Sequence, residues 1–82
     1  MEFTLSGKRF SLTQEEILRK MQGVEPEPVR LHTVEIKDRV YPVKQVVSTV
    51  TNLSRADFTS HQAHQILRRL GLPVAHEAPT KV

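Results

Sequence analysis

Six polar side chains, His61, Gln62, His64, Gln65, Arg68 and Arg69, fall on one arc of the segment from Thr59 to Gly71 when it is wound as a helix, and none is acidic. At about 100° per residue, Ala63, Ile66, Leu67 and Leu70 take the opposite, apolar arc. Arginine and glutamine can each meet a purine edge through two hydrogen bonds in the major groove, and cationic donors suit phosphate oxygens. The chemistry open to this face is therefore recognition of a polyanion. Solvation alone is the competing reading, because most polar helix faces contact only water.

Charge placement bears on that choice. The 82 residues carry a formal net charge of +3, and it is uneven. Residues 1–36 hold five basic and six acidic side chains, a balance of −1, whereas residues 37–69 hold six basic and two acidic, a balance of +4. Basic charge thus coincides with the donor-rich segment, the footprint expected of a surface that binds nucleic acid.

Other chemistries find less support. His61 and His64 stand three residues apart, with His32 and His76 elsewhere, but zinc requires three or four ligands and the chain has no cysteine. They read as surface imidazoles, and no cofactor is expected. Ser54, Asp57 and His61 include the residue types of a hydrolase triad, yet no oxyanion-loop signature accompanies them, and Ser54 with Asp57 makes sense as a local cap. No glycine-rich phosphate loop occurs, and Phe3, Phe10, Phe58 and Tyr41 form no ladder for stacking bases. A chain this short buries only roughly 60% of its unfolded surface, leaving little room for a deep substrate cavity beside a core. The reading is non-enzymatic, with no small-molecule substrate.

Lack of cysteine suits a reducing compartment, no run approaches the ~20 apolar residues of a membrane span, and the N-terminus lacks the pattern of a signal peptide. The expected location is the cytoplasm, on the nucleoid if the chain binds DNA.

The elements that must hold the basic face can be read from punctuation and period. Residues 2–5 and 8–11 flank Ser6-Gly7 as a short hairpin. Thr13 and Glu16 form a capping box, with Leu12 and Ile17 as its staple, for a helix from about Gln14 to Gln22 that Gly23 closes. The two prolines of residues 24–28 impose a loop. His32, Val34 and Ile36 alternate, then Lys37-Asp38 turns the chain toward Arg39-Val40-Tyr41, a second hairpin. Pro42 suits the first position of a helix, and Val43, Val46, Val47 and Val50 follow at helical spacing, which outweighs the strand preference of valine. Asn52 can end that helix in the left-handed conformation. Ser54 caps a single helical turn, and Thr59 with Gln62 opens the donor-rich helix, which Gly71 stops. Leu72-Pro73-Val74 can pack back on the domain. The expectation is one α+β domain over residues 1–74, with three helices and one or two short β-hairpins, and a flexible tail over 75–82.

Two apolar-striped helices with donors turned outward on the second resemble a helix-turn-helix, although the connection from Asn52 to Thr59 exceeds the usual three or four residues. On a duplex, His61, Gln62 and Gln65 would meet base edges, with Arg68 and Arg69 closer to a phosphate strand and His64 on the same binding face. Lys44, Ser48 and Arg55 would touch the backbone from the preceding helix and loop, and Lys37 and Arg39 would act as an outrigger. Duplex DNA is the expected partner. The alternative is a protein-interaction module, including a homodimer, that uses the same basic helix.

The runs Val34-Glu35-Ile36, Arg39-Val40-Tyr41-Pro42-Val43-Lys44-Gln45-Val46, Arg55-Ala56-Asp57-Phe58-Thr59-Ser60-His61-Gln62-Ala63 and Leu67-Arg68-Arg69-Leu70-Gly71 also carry a resemblance. They look like a pattern of small actinobacterial proteins and are similar to N-terminal DNA-binding modules of methylation-dependent HNH restriction endonucleases. The resemblance covers roughly Thr33 to Leu72. It implies a DNA-binding part alone, because the chain has no HNH metal constellation, and dependence on base methylation does not carry over.

Overall fold

The computed structural model describes residues 1–29 and 31–75. Two antiparallel hairpins form as expected. Strand β1 (Glu2–Leu5) pairs with β2 (Lys8–Ser11), and β3 (Thr33–Ile36) pairs with β4 (Arg39–Pro42). Both turns place two residues at positive φ, Ser6 and Gly7 in the first and Lys37 and Asp38 in the second, so their local twist matches that of the strands.

A fifth strand was not expected. Val74 and Ala75 form β5, antiparallel to β3 with Thr33 opposite Ala75, giving a three-stranded sheet in the order β4-β3-β5. Of the tail expected over 75–82, Ala75 therefore belongs to this sheet, and 76–82 lie outside the described residues. Two paired residues next to a proline offer no alternation to read, so this strand owes its place to tertiary contact.

Three helices complete the α+β fold: α1 (Gln14–Lys20), α2 (Val43–Thr51) and α3 (Ser60–Arg69). Helix α1 has its Thr13–Glu16 capping box and ends two residues before the expected Gln22, because the Gln22 amide bonds the Arg19 carbonyl and tightens the final turn. Pro42 is the N-cap of α2 rather than its first residue: at ψ 137° it is still extended, and the Val43 amide donates to the His32 carbonyl. The valine stripe is buried as its spacing requires, at Val43, Val46, Val47 and Val50. Thr49 and Thr51 return their hydroxyls to the carbonyls of Gln45 and Val47, which reconciles these β-branched residues with the helix. Asn52 ends α2 at φ 63°.

The core is one cluster drawn from every layer, including Leu5, Ile17, Ile36, Tyr41, Val46 and Leu67. Helix α1 also secures the other two helices by their ends. Gln14 Nε2 donates to the Leu70 carbonyl at 2.6 Å and Lys20 Nζ to the Val50 carbonyl at 3.3 Å, so acceptors left over at the C-terminal ends of α3 and α2 find donors on α1. Gly71 is required beside the first of these contacts: φ is +85°, and a Cβ there would lie 2.6 Å from Gln14 Nε2.

The proline loop is held from α2. Gln45, only 3% exposed, accepts from the Glu27 amide at 2.9 Å and donates to the Glu25 carbonyl at 2.8 Å. Gln45→Leu conserves approximate volume but strands both loop groups, and is expected to cost about 1–3 kcal/mol by chemical denaturation. Loss of hydrogen-exchange protection at the Glu27 amide locates that cost in the loop. Among the described residues, no helix is long and apolar enough to cross a membrane.

Candidate nucleic-acid interface

The donor-rich segment is held by the device its sequence announces. Thr59 accepts from the Gln62 amide at 3.1 Å, and the Gln62 side chain accepts from the Thr59 amide at 2.9 Å, a complete capping box. Phe58 and Ala63 are buried at the staple positions, and Ile66, Leu67 and Leu70 continue the apolar side. Helix α3 therefore shows His61, Gln62, Gln65, Arg68 and Arg69 to solvent with no carboxylate among them.

Not all eleven expected contact residues share this surface. His64 is half-buried against His32, with Nδ1 atoms 3.3 Å apart and ring centroids 4.9 Å apart in an edge-on arrangement. It lies at the border between the apolar and polar arcs, where a ring packs inward as readily as outward. Gln62 is exposed but spends its carbonyl oxygen on the cap. Ser48 donates its hydroxyl to the Leu53 carbonyl at 2.7 Å, fixing the exit from α2.

The expected backbone-contacting cations are also engaged. Arg55, just after α2, forms a two-pronged ion pair with Glu27, which holds the Glu27 carboxyl below the usual carboxylate range. The hydrogen bonds from Arg55 are the main cause; desolvation opposes them, and Coulombic attraction to Arg55 adds a lesser lowering. Arg39 donates to the Val24 carbonyl at 3.1 Å and lies 4.0 Å from the Glu25 carboxylate, so it braces the proline loop. Lys44 is half-buried, its ammonium 5.4 Å from the centroid of the Phe58 ring, a cation–π contact. Lys37 is exposed at the tip of the β3–β4 turn.

What remains together is a strip on α3: His61, Gln65, Arg68 and Arg69, with the donor end of Gln62. Arg68 and Arg69 form no ion pair among the described residues, and in the last helical turn they complement the negative end of the helix dipole. Sequence reasoning overlooked the residues that engage Arg55 and the proline loop. Glu27 and Gln45 were not singled out, and no local period could join them to Arg55 or to the loop, since the pairings span 28 and 18 positions.

Beside the N-terminal end of α2 lies an open groove of about 490 Å³, lined chiefly by Pro28, Leu31, Val43 and Pro42, with His32, Lys44 and Ser60 among its polar neighbours. Leu31, 57% exposed, is the large hydrophobic residue left facing solvent among those described. Such a groove was not foreseen for a chain of this size. Pro28 and Leu31 of the segment before β3 form one side of it, and Pro42, Val43 and Lys44 at the start of α2 form the other.

No curated protein and no solved structure matches the chain. A family model described as SCO5918-like matches residues 1–82, well beyond the Thr33–Leu72 span on which the sequence resemblance rests. The chain belongs to the SCO5918-like family.

Proposed function

We propose that this protein is a non-enzymatic DNA-binding domain acting in the cytoplasm, with α2 and α3 used in the manner of a helix-turn-helix. The observation that carries this reading is the solvent face of α3: exposed donors at His61, Gln65, Arg68 and Arg69, no acidic residue, and two arginines without ion-pair partners among the described residues. In the major groove, the N-terminal half of α3 meets base edges, and Arg68 and Arg69 meet phosphates. Lys37 supplies a peripheral phosphate contact. Arg55, Arg39 and Ser48 serve the loops instead, so the interface is narrower than the sequence suggests. The resemblance to DNA-binding modules of HNH restriction endonucleases supports the same reading and leaves open a regulatory, nucleoid-associated or restriction-related setting.

A second reading is a protein adaptor, favoured by exposed Leu31 beside the apolar groove. Fluorescence anisotropy on unrelated duplexes, with and without methylated cytosine, separates the two. The DNA reading expects dissociation constants on the order of 10⁻⁴–10⁻⁶ M for non-specific duplexes, weakening steeply and log-linearly with salt. Absence of binding at low salt removes the DNA reading and leaves the adaptor.

A further inference from the structure

Helices α1 and α3 open with the same device but close it with different residues. In α1 the Thr13 amide donates to a Glu16 carboxylate oxygen at 3.1 Å; in α3 the Thr59 amide donates to the Gln62 carbonyl oxygen at 2.9 Å. A carboxylate in the first turn interacts favourably with the helix dipole, and α1 has Glu15 and Glu16 there, whereas α3 has no acidic residue. Gln62 thus keeps the cap and forgoes a charge that would repel phosphate. The cap also fixes which end of the Gln62 amide is free for a partner. A backbone N–H is met only by the carbonyl oxygen, so Oε1 is turned back on Thr59, and the end left on this exposed side chain is the NH2 group, which only donates.

We propose that Gln62 selects guanine at the base pair it faces; the assignment rests on the proposed DNA binding by α3. A glutamine with both ends available matches adenine, giving a donor to N7 and an acceptor to N6–H2. Gln62 has one end to give. Guanine presents two adjacent acceptors, N7 and O6, to its NH2 group, and on that edge no base donor is left unmet. Thymine O4 offers a single acceptor and is the poorer match. Gln62 is therefore a helix cap and a base reader through opposite ends of one amide.

Gln62→Glu separates the two roles. Glutamate is nearly the same size, closes a capping box as Glu16 does in α1, and puts an acceptor where the donor was. Duplexes with a randomised segment are selected on the full unaltered chain and on the full-length variant. The unaltered chain should enrich guanine at a position where the variant enriches cytosine, whose N4–H2 is a donor, with the other positions kept. On single duplexes the guanine-to-cytosine affinity ratio at that position should fall by at least ~5-fold, the order of one mismatched pair. A uniform loss from the added charge leaves this ratio unchanged. Gln65→Glu adds the same charge to the next exposed turn of α3 and should keep the guanine. The thermal midpoint of Gln62→Glu should not fall, because the cap survives. Pools with no position that turns from guanine to cytosine, or a lowered midpoint in Gln62→Glu, overturn the role of Gln62 while DNA binding stands. An unaltered chain that binds no duplex at low salt overturns DNA binding and the base assignment together.

Discussion

A chain carrying both Arg68→Ala and Arg69→Ala is expected to keep its fold and lose most of its affinity for duplex DNA. Both side chains are exposed at the end of α3 and contribute nothing to the core. Their folded-state role is to complement the helix dipole, worth about 0.3–1 kcal/mol each, so the thermal midpoint should fall only slightly. If each contacts one phosphate, the log–log salt slope should become shallower by about 1.8, and affinity near 0.1 M salt should drop roughly 30- to 100-fold. The matched control is Lys8→Ala with Arg19→Ala. It removes the same charge from exposed positions in β2 and α1, and should change the slope little. Equal losses in the two double variants would reduce the effect to general charge. An unchanged slope in the folded α3 variant would take that helix out of the contact surface.

The difference between those variants rests on which parts of the molecule the sequence could express. Helix starts were legible to within a residue because the signals are local: Thr13 with Glu16, Thr59 with Gln62, and the valine spacing after Pro42 are each complete within one or two turns. Side-chain destinations across the fold were not. Arg55 has the composition of a phosphate contact, and only the loop brought beside it by Gln45 turns it into the partner of Glu27. His64 looked outward on a helical wheel, but a wheel has no neighbours, and the approach of His32 gives that ring an inward contact. β5 went unread for the same reason, being defined by β3 rather than by any pattern of its own. The three failures share one cause: a pairing of distant segments decides what a locally ambiguous residue does.

Coupling between core and surface makes the last expected result the largest in stability. Leu67 has no exposed surface, although its neighbours Arg68 and Arg69 carry the proposed contact. Leu67→Ala removes one methine and two methyl carbons from a site enclosed by the rest of the core, and such changes cost about 2–5 kcal/mol. Against the roughly 5–15 kcal/mol that holds a small domain together, this is a major fraction, and the thermal midpoint should fall by at least ~10 °C. The partner of the apolar side of α3 is largely α2, so the loss loosens the angle at which the basic strip is presented before it unfolds the chain. Duplex affinity measured well below the lowered midpoint should therefore weaken while the salt slope stays near that of the unaltered chain, because the charges remain. A shallow slope in folded Leu67→Ala would mean that α3 must be rigid to place its arginines on phosphates; an undiminished affinity would mean that contact comes from elsewhere on the surface.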